Sequence, residues 1–335
     1  MQSFLDPAIL FFVFGLVAGG LRSNLEIPSQ IARFLSLYLL MALGLKGGFA
    51  LAATGLTQEV CVSLALAVGL AVATPALGYL VLKRLLPGLD AAALAATYGS
   101  VSAVTFITAV QHLDNLGVPH GGHMAAAMAL MESPAIVMAV WLANRVRAQS
   151  RPGVGTPTAS PSTASPSGKA FSTGHILRES LTDGAQLLLI GAMVIGLITG
   201  PSGQAAMKPF AGDLFKGMLA FFLLDMGLQA AKHIGALRQI SPWLLAYGLG
   251  APLVHAGLAL GLCLLTGVST GNTALLMVLA ASASYIAVPA VIRHAIPEAN
   301  PSLYIGMSLG LTFPVNILLG ISFYTQVARH VVPGA

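Results

Sequence analysis

Two short strings of small hydroxyl residues carry most of the chemistry this sequence can offer. YGSVSAVT holds Ser100, Ser102 and Thr105, and SASY holds Ser282, Ser284 and Tyr285. Hydroxyls can donate to a small oxyanion or turn their lone pairs to a cation such as Na+. A single serine in a membrane helix more often bonds the carbonyl one turn back, so neither string alone defines a site. Their neighbours add weight. Pro289 cannot donate to the preceding turn and is expected to kink or break the second helix. Gly99 and Ser100 weaken the first at the matching depth. A helix that restarts there presents free N–H groups and the positive end of its dipole, which suits an anion. These six residues are the predicted substrate-binding set.

Glu132, in ALMESPAIVMAV, is a carboxylate well inside an apolar run. A charge near the bilayer centre costs roughly 3 kcal/mol on insertion scales, so such groups are functional candidates. Its counterpart in the second half is Thr312, with Asn316 one turn further on, and Pro134 and Pro314 each free a backbone carbonyl for a cation. Glu132, Thr312 and Asn316 are therefore the predicted ion-coupling residues, serving Na+ or a proton. Lys46 and Asp225 are expected to neutralise each other as a structural pair. His255 reads as an interior histidine. His112, His120 and His123 cluster without a cysteine beside Gly121 and Gly122, and no metal centre is assigned to them. The chain has no Walker loop, dinucleotide fingerprint, HExxH or GxSxG motif, so neither an enzyme nor an ATP-driven pump is expected.

The elements that must position these residues lie in a bilayer. Charged residues make up 8% of the chain and hydrophobic ones 56%, with a mean hydropathy of +0.84; a soluble domain carries roughly 25% charged residues. The net charge of +5 therefore reports topology, not nucleic-acid binding. Cys61 and Cys263 sit in apolar runs and imply no disulfide. Apolar runs fall near 7–21, 33–52, 59–82, 90–110 and 121–144, and again near 178–199, 213–231, 241–265, 272–292 and 302–327. The first lacks a basic segment before it and reads as a span, not a cleaved signal.

The two sets repeat each other. Gly15 and Gly19 align with Gly196 and Gly200, Gly44 with Gly227, Ser100 with Ser284 and Pro134 with Pro314, always at nearly the same separation. The predicted fold is all-α and integral to the membrane: ten transmembrane helices in two inverted five-helix repeats, the fourth and ninth broken. The repeats occupy 1–147 and 176–335, and a Pro/Ser/Thr/Gly-rich linker fills 148–175. Five spans per repeat turns the second half upside down. With both termini outside and the linker cytoplasmic, twelve of the sixteen Lys and Arg fall inside. Lys46, Lys208, Lys216 and Arg329 are the four that do not, a bias that fixes the orientation. Gly15/Gly19, Gly257/Gly261 and Gly306/Gly310 carry the small-xxx-small spacing of close helix packing, expected here within one chain. Paired repeats of this kind mark transporters whose site lies where the halves meet. The residues leave open bicarbonate or another small anion such as a short carboxylate, Na+ or proton coupling, and a non-transporting sensor or scaffold.

Several strings resemble the SbtA-type sodium-dependent bicarbonate transporter family: IRHAIPEANPSLYIG at 292–306, YGSVSAV at 98–104, LMESPAIVMAVWLANR at 130–145 and MGLQAAKHIGALR at 226–238. The resemblance implies a secondary transporter in the plasma (inner) membrane that imports bicarbonate with Na+. It also implies a homotrimer and a PII-like regulatory partner on the cytoplasmic face. By position it assigns Ser102, Thr105, Ser282 and Ser284 to the anion and cation site, with Glu132 standing for an Asp before the same Pro-Ala. Where cyanobacterial members carry Asp in the ninth-helix string, this chain carries Tyr285. Its linker is neutral where theirs is charged, so it resembles a non-cyanobacterial branch.

Overall fold

The computed structural model describes residues 6–149 and 184–332; the predicted linker, past Gln149, lies outside them. The first half runs α1 (Pro7–Gly20), α2 (Ser29–Thr54), α3 (Gln58–Leu82), α4 (Gly88–Gly99), α5 (Ala103–Leu116) and α6 (Met124–Gln149). The second runs α7 (Gly184–Met207), α8 (Phe215–Ile234), α9 (Pro242–Thr266), α10 (Thr270–Ala281), α11 (Ala287–Ala295) and a last helical stretch α12 (Pro301–Val331). No strand occurs among the described residues.

Local chemistry sets the boundaries. Asp6 accepts the Ala8 N–H at 2.8 Å with Pro7 opening α1. Ser241 does the same for Leu244 at 3.4 Å with Pro242 opening α9. Both pairings satisfy an orphan donor and start the helix with a residue that needs none.

Seven stretches among the described residues are long and apolar enough to cross a bilayer. One of them, Gly184–Gln239, has 56 residues, about 84 Å at 1.5 Å per residue, far more than one crossing needs. Its backbone kinks at Gly200 (φ 52°, ψ −138°) within α7, and a π-helical turn at Lys208–Asp213 parts α7 from α8. α1 and α10 are apolar but shorter. The chain is a multi-pass, all-helical integral membrane protein.

Packing separates two groups. α1 lies against α8 and α2 against α7, while α3–α6 and α9–α12 pack mainly among themselves. Glycines make the first two seams. A Cβ on Gly15 would stand 2.3 Å from the Leu224 carbonyl oxygen, and one on Gly227 would stand 2.3 Å from that of Phe12. On the other seam, Gly48 meets the Met193 oxygen at 2.1 Å and Gly196 the Leu45 oxygen at 2.6 Å on the same construction. Such contacts let backbones touch where there is no hydrophobic force to hold helices together. The predicted in-chain role thus appears at Gly15 and Gly19; Gly257 and Gly261 face open space. α12 carries π-helical turns at Ser308–Thr312 and Asn316–Gly320.

Candidate functional site: two breaks that meet

α4 ends at Gly99, Ser100 is extended, and α5 restarts at Ala103. Ser102 caps the restart, its Oγ accepting the Thr105 N–H at 3.2 Å and the Thr105 hydroxyl at 2.9 Å. α10 ends at Ala281, Ser282 is extended, and α11 restarts at Ala287. Ser284 Oγ accepts the Val288 N–H at 3.3 Å. The second break therefore falls at 282–286, upstream of Pro289. Pro289 lies in the first turn of α11, where no intrahelical donor is needed from it, so it ends no helix there.

The two breaks are joined directly. The Ser102 N–H donates to Ser282 Oγ at 3.0 Å, and the Ser284 N–H donates to the Thr97 carbonyl at 2.9 Å. A helix end buried in a membrane must place its last carbonyls, and α10 does so one by one. Leu279 accepts from the Ser282 hydroxyl at 2.8 Å and Ala281 from Asn316 Nδ2 at 2.8 Å. Ala280 accepts from His255, buried on α9. The Tyr324 hydroxyl in turn donates to Asn316 Oδ1 at 3.3 Å.

A cavity of about 360 Å³ opens beside the breaks. Ser102, Ser284, Tyr285 and Glu132 line it, together with Ala103, Val104 and Ala287 at the first turns of α5 and α11. First-turn N–H groups have no intrahelical acceptor. The Tyr285 hydroxyl is buried without a partner of good geometry among the described residues; Ser102 stands beside it without satisfying it. Glu132 Oε2 accepts from Gln186 Nε2 of α7 at 2.5 Å, across the two helix groups. A second cavity, of about 710 Å³, is lined by Lys46, Asp114, His120 and Lys208. α2 passes the smaller cavity at Ser36 and Leu40 and the larger one from Leu43 onward. α5 leaves its break toward the larger cavity, reaching Asp114, and α11 leaves toward the smaller, reaching Ala295. The two second halves thus depart in opposite directions.

The predicted site residues divide accordingly. Ser102, Ser284, Tyr285 and Glu132 face the cavity, while Ser100, Thr105 and Ser282 are buried at the breaks outside its lining. Thr312 stands apart: it meets the Tyr98 hydroxyl at 2.5 Å and donates to the Gly248 carbonyl at 3.0 Å. Asn316 is occupied behind α10, as above. The Lys46–Asp225 pair does not form. Lys46 Nζ lies 4.0 Å from Asp114 Oδ2 and 4.1 Å from the Phe215 ring centroid, whereas buried Asp225 bonds Gln229 one turn along its own helix. A short carboxylate is satisfied locally, and the long lysine stem reaches a cavity instead. His120 Nε2 pairs with Asp114 Oδ1 at 3.0 Å. Among the described residues no group of three His, Cys, Asp or Glu could hold a metal ion. Gln186, Tyr98 and the Thr97 carbonyl were not foreseen. Gln186 left one signal, a polar residue at the head of the apolar run QLLLIGAMVIG.

A multi-pass helical protein with interrupted helices meeting beside a cavity that holds a few polar groups, Ser102, Ser284, Tyr285 and Glu132, has the form of a membrane carrier. A family model, that of the Na+-dependent bicarbonate transporter superfamily, matches residues 7–329, and the chain belongs to that family. It is a transporter and not an enzyme. A comparison with curated proteins gives no match.

Proposed function

We propose that this protein imports bicarbonate by secondary active transport driven by Na+. The observation that carries the reading is the junction of the two breaks, where Ser102 and Ser284 border one cavity with the first turns of α5 and α11. Hydroxyl donors and first-turn N–H groups match a small oxyanion. Glu132 adds a carboxylate at the same cavity, and broken-helix carbonyls supply the oxygen ligands a Na+ takes. Ser100, Thr105 and Ser282 belong to this reading as the shell that holds the breaks.

The same reading takes the helices as ten crossings in two inverted repeats of 1–147 and 176–335. α4/α5 and α10/α11 each make one crossing, and α7 and α8 make one apiece. The reciprocal glycine seams and the opposed departures of α5 and α11 support it. Both termini lie outside and the linker inside, as the basic residues require. Transport then moves α3–α6 and α9–α12 against α1, α2, α7 and α8, and the Glu132–Gln186 contact spans the sliding boundary. Assembly as a homotrimer and control by a PII-like partner are parts of this proposal that rest on family resemblance.

One observation favours a second reading. Tyr285 lines a cavity larger than an anion of four heavy atoms fills, which suits a short carboxylate, with Glu132 carrying a proton. Uptake of labelled bicarbonate into proteoliposomes separates the two. Stimulation by an inward Na+ gradient supports the first; uptake driven by a pH gradient, and competed by the larger carboxylate butyrate, supports the second.

A further inference from the structure

The larger cavity has no part in the scheme above, yet its walls are charged. Among the described residues, Lys46 of α2 and Lys208 line it against a single carboxylate, Asp114, which His120 already engages through Oδ1 at 3.0 Å. Lys46 Nζ is 4.0 Å from the other Asp114 oxygen, beyond hydrogen-bond reach. On its other side the ammonium rests on the Phe215 ring, 4.1 Å from the centroid. That ring attracts the cation but accepts no strong hydrogen bond from it. Lys216, at the head of α8, donates to Asn115 Oδ1 at 3.0 Å, next along α5 from Asp114. Asn115 in turn donates to Asp6 Oδ2 at 2.6 Å, so Lys216 and Asp6 offset each other. The described lining keeps two lysines against one carboxylate, and Lys46 has donor capacity that no oxygen among the described residues takes up.

A positive concavity with low-dielectric walls concentrates anions, and an ammonium inside a membrane protein calls for a counter-charge. We propose that this cavity is a second anion site, on the opposite side of the breaks from Ser102 and Ser284, where Lys46 and Lys208 collect a small hydrated oxyanion before it reaches the breaks. The proposal rests on the transport reading above. At about 710 Å³ the cavity holds such an ion together with its water. Its affinity is therefore low and electrostatic, and its effect is on capture at scarce substrate.

The test uses the full-length chain in proteoliposomes. Lys46→Gln is expected to raise the half-saturating bicarbonate concentration about fivefold at low ionic strength, with the loss confined to low substrate. Added salt at about 0.5 M should close most of that gap, because screening shortens the field. Lys46→Arg should restore the wild-type value, and Asp114→Asn should lower it. An unchanged half-saturation in Lys46→Gln, or a gap that salt does not narrow, overturns the proposal. Binding is read separately from flux by line broadening of carbon-13-labelled bicarbonate in detergent, with Ser102→Ala/Ser284→Ala disabling the central site. Broadening that survives in that double variant and vanishes on adding Lys46→Gln supports the site, and no surviving broadening overturns it. A wild type that shows this binding pattern without uptake would sink the transport reading and leave the second site standing.

Discussion

The backbone N–H of Ser102 and the side-chain oxygen of Ser282 lie 3.0 Å apart, tying one interrupted helix to the other. Ser282 Oγ also donates to the Leu279 carbonyl, which the Ser282 N–H reaches as well at 3.2 Å, so the hydroxyl is indispensable to Ser102 alone. Ser282→Ala leaves the buried Ser102 N–H without its acceptor. The expected cost is about 1–3 kcal/mol, the usual range for buried groups left unpaired, together with at least a tenfold fall in uptake. Ser282→Thr keeps the hydroxyl and should keep most of both. Thermal unfolding in detergent, run beside uptake, checks the pair.

Glu132→Gln keeps an oxygen that Gln186 can bond while removing the charge. Uptake should persist at a lower rate and lose its response to Na+. Rate against Na+ concentration measures this: a flat curve is expected, and a retained, merely right-shifted curve would place the cation elsewhere.

The seam between α2 and α7 leaves no room for a methyl group. At Gly48 an added Cβ meets backbone atoms of Met193, Leu197 and Gly196, which cannot turn aside as a side chain can. Gly48→Ala should destabilise the protein by about 1–3 kcal/mol, as overpacking does. Gly191→Ala, on the same helix pair but with open space around it, should be neutral or stabilising by about 0.5–1 kcal/mol. Both are read from unfolding midpoints.

Acid sensitivity follows from two groups outside the spans. The Arg147 guanidinium donates to both Glu298 oxygens, at 3.2 and 2.7 Å, and holds that carboxyl below its ordinary value. A depressed carboxyl contributes above its ordinary value and loses that contribution as pH falls through the lower, folded one. Arg147→Gln should therefore weaken the protein at neutral pH, and the part of that loss owed to Glu298 should shrink as pH falls through its lowered folded value, leaving only the part owed to the Ala295 carbonyl, which Arg147 reaches at 3.0 Å. Burial pushes His123 below the usual histidine range, against the pull of Glu59 and with the push of His120. Its folded form resists a proton that the unfolded chain accepts, so stability falls as pH drops below about 6.5. His123→Gln should flatten that limb of a stability–pH curve.

Much of this was legible in the sequence, for reasons that also show where reading stops. Composition and apolar run length place the helices because a bilayer admits little else. The two hydroxyl strings stood out because polar groups are scarce in such runs, and Ser102 and Ser284 do border the cavity. Long side chains were misread. Lys46 could reach several acids, and its choice of Asp114 depends on how far the end of α5 stands from α2, which no spacing records. Pro289 marked the right helix but the wrong residue, since proline also fits a first turn. The repeat also assigned Thr312 to the ion site by symmetry with Glu132, yet Tyr98 and Gly248 engage its hydroxyl. Symmetry fixes backbones more firmly than it fixes the work of side chains.

An experimental structure with bicarbonate and Na+ bound asks the central question directly. The expected result is anion density within hydrogen-bond distance of Ser102 and Ser284, beside the first-turn N–H groups of α5 and α11. Continuous helices through 100–102 and 282–286, or an anion bound only away from both serines, would contradict it.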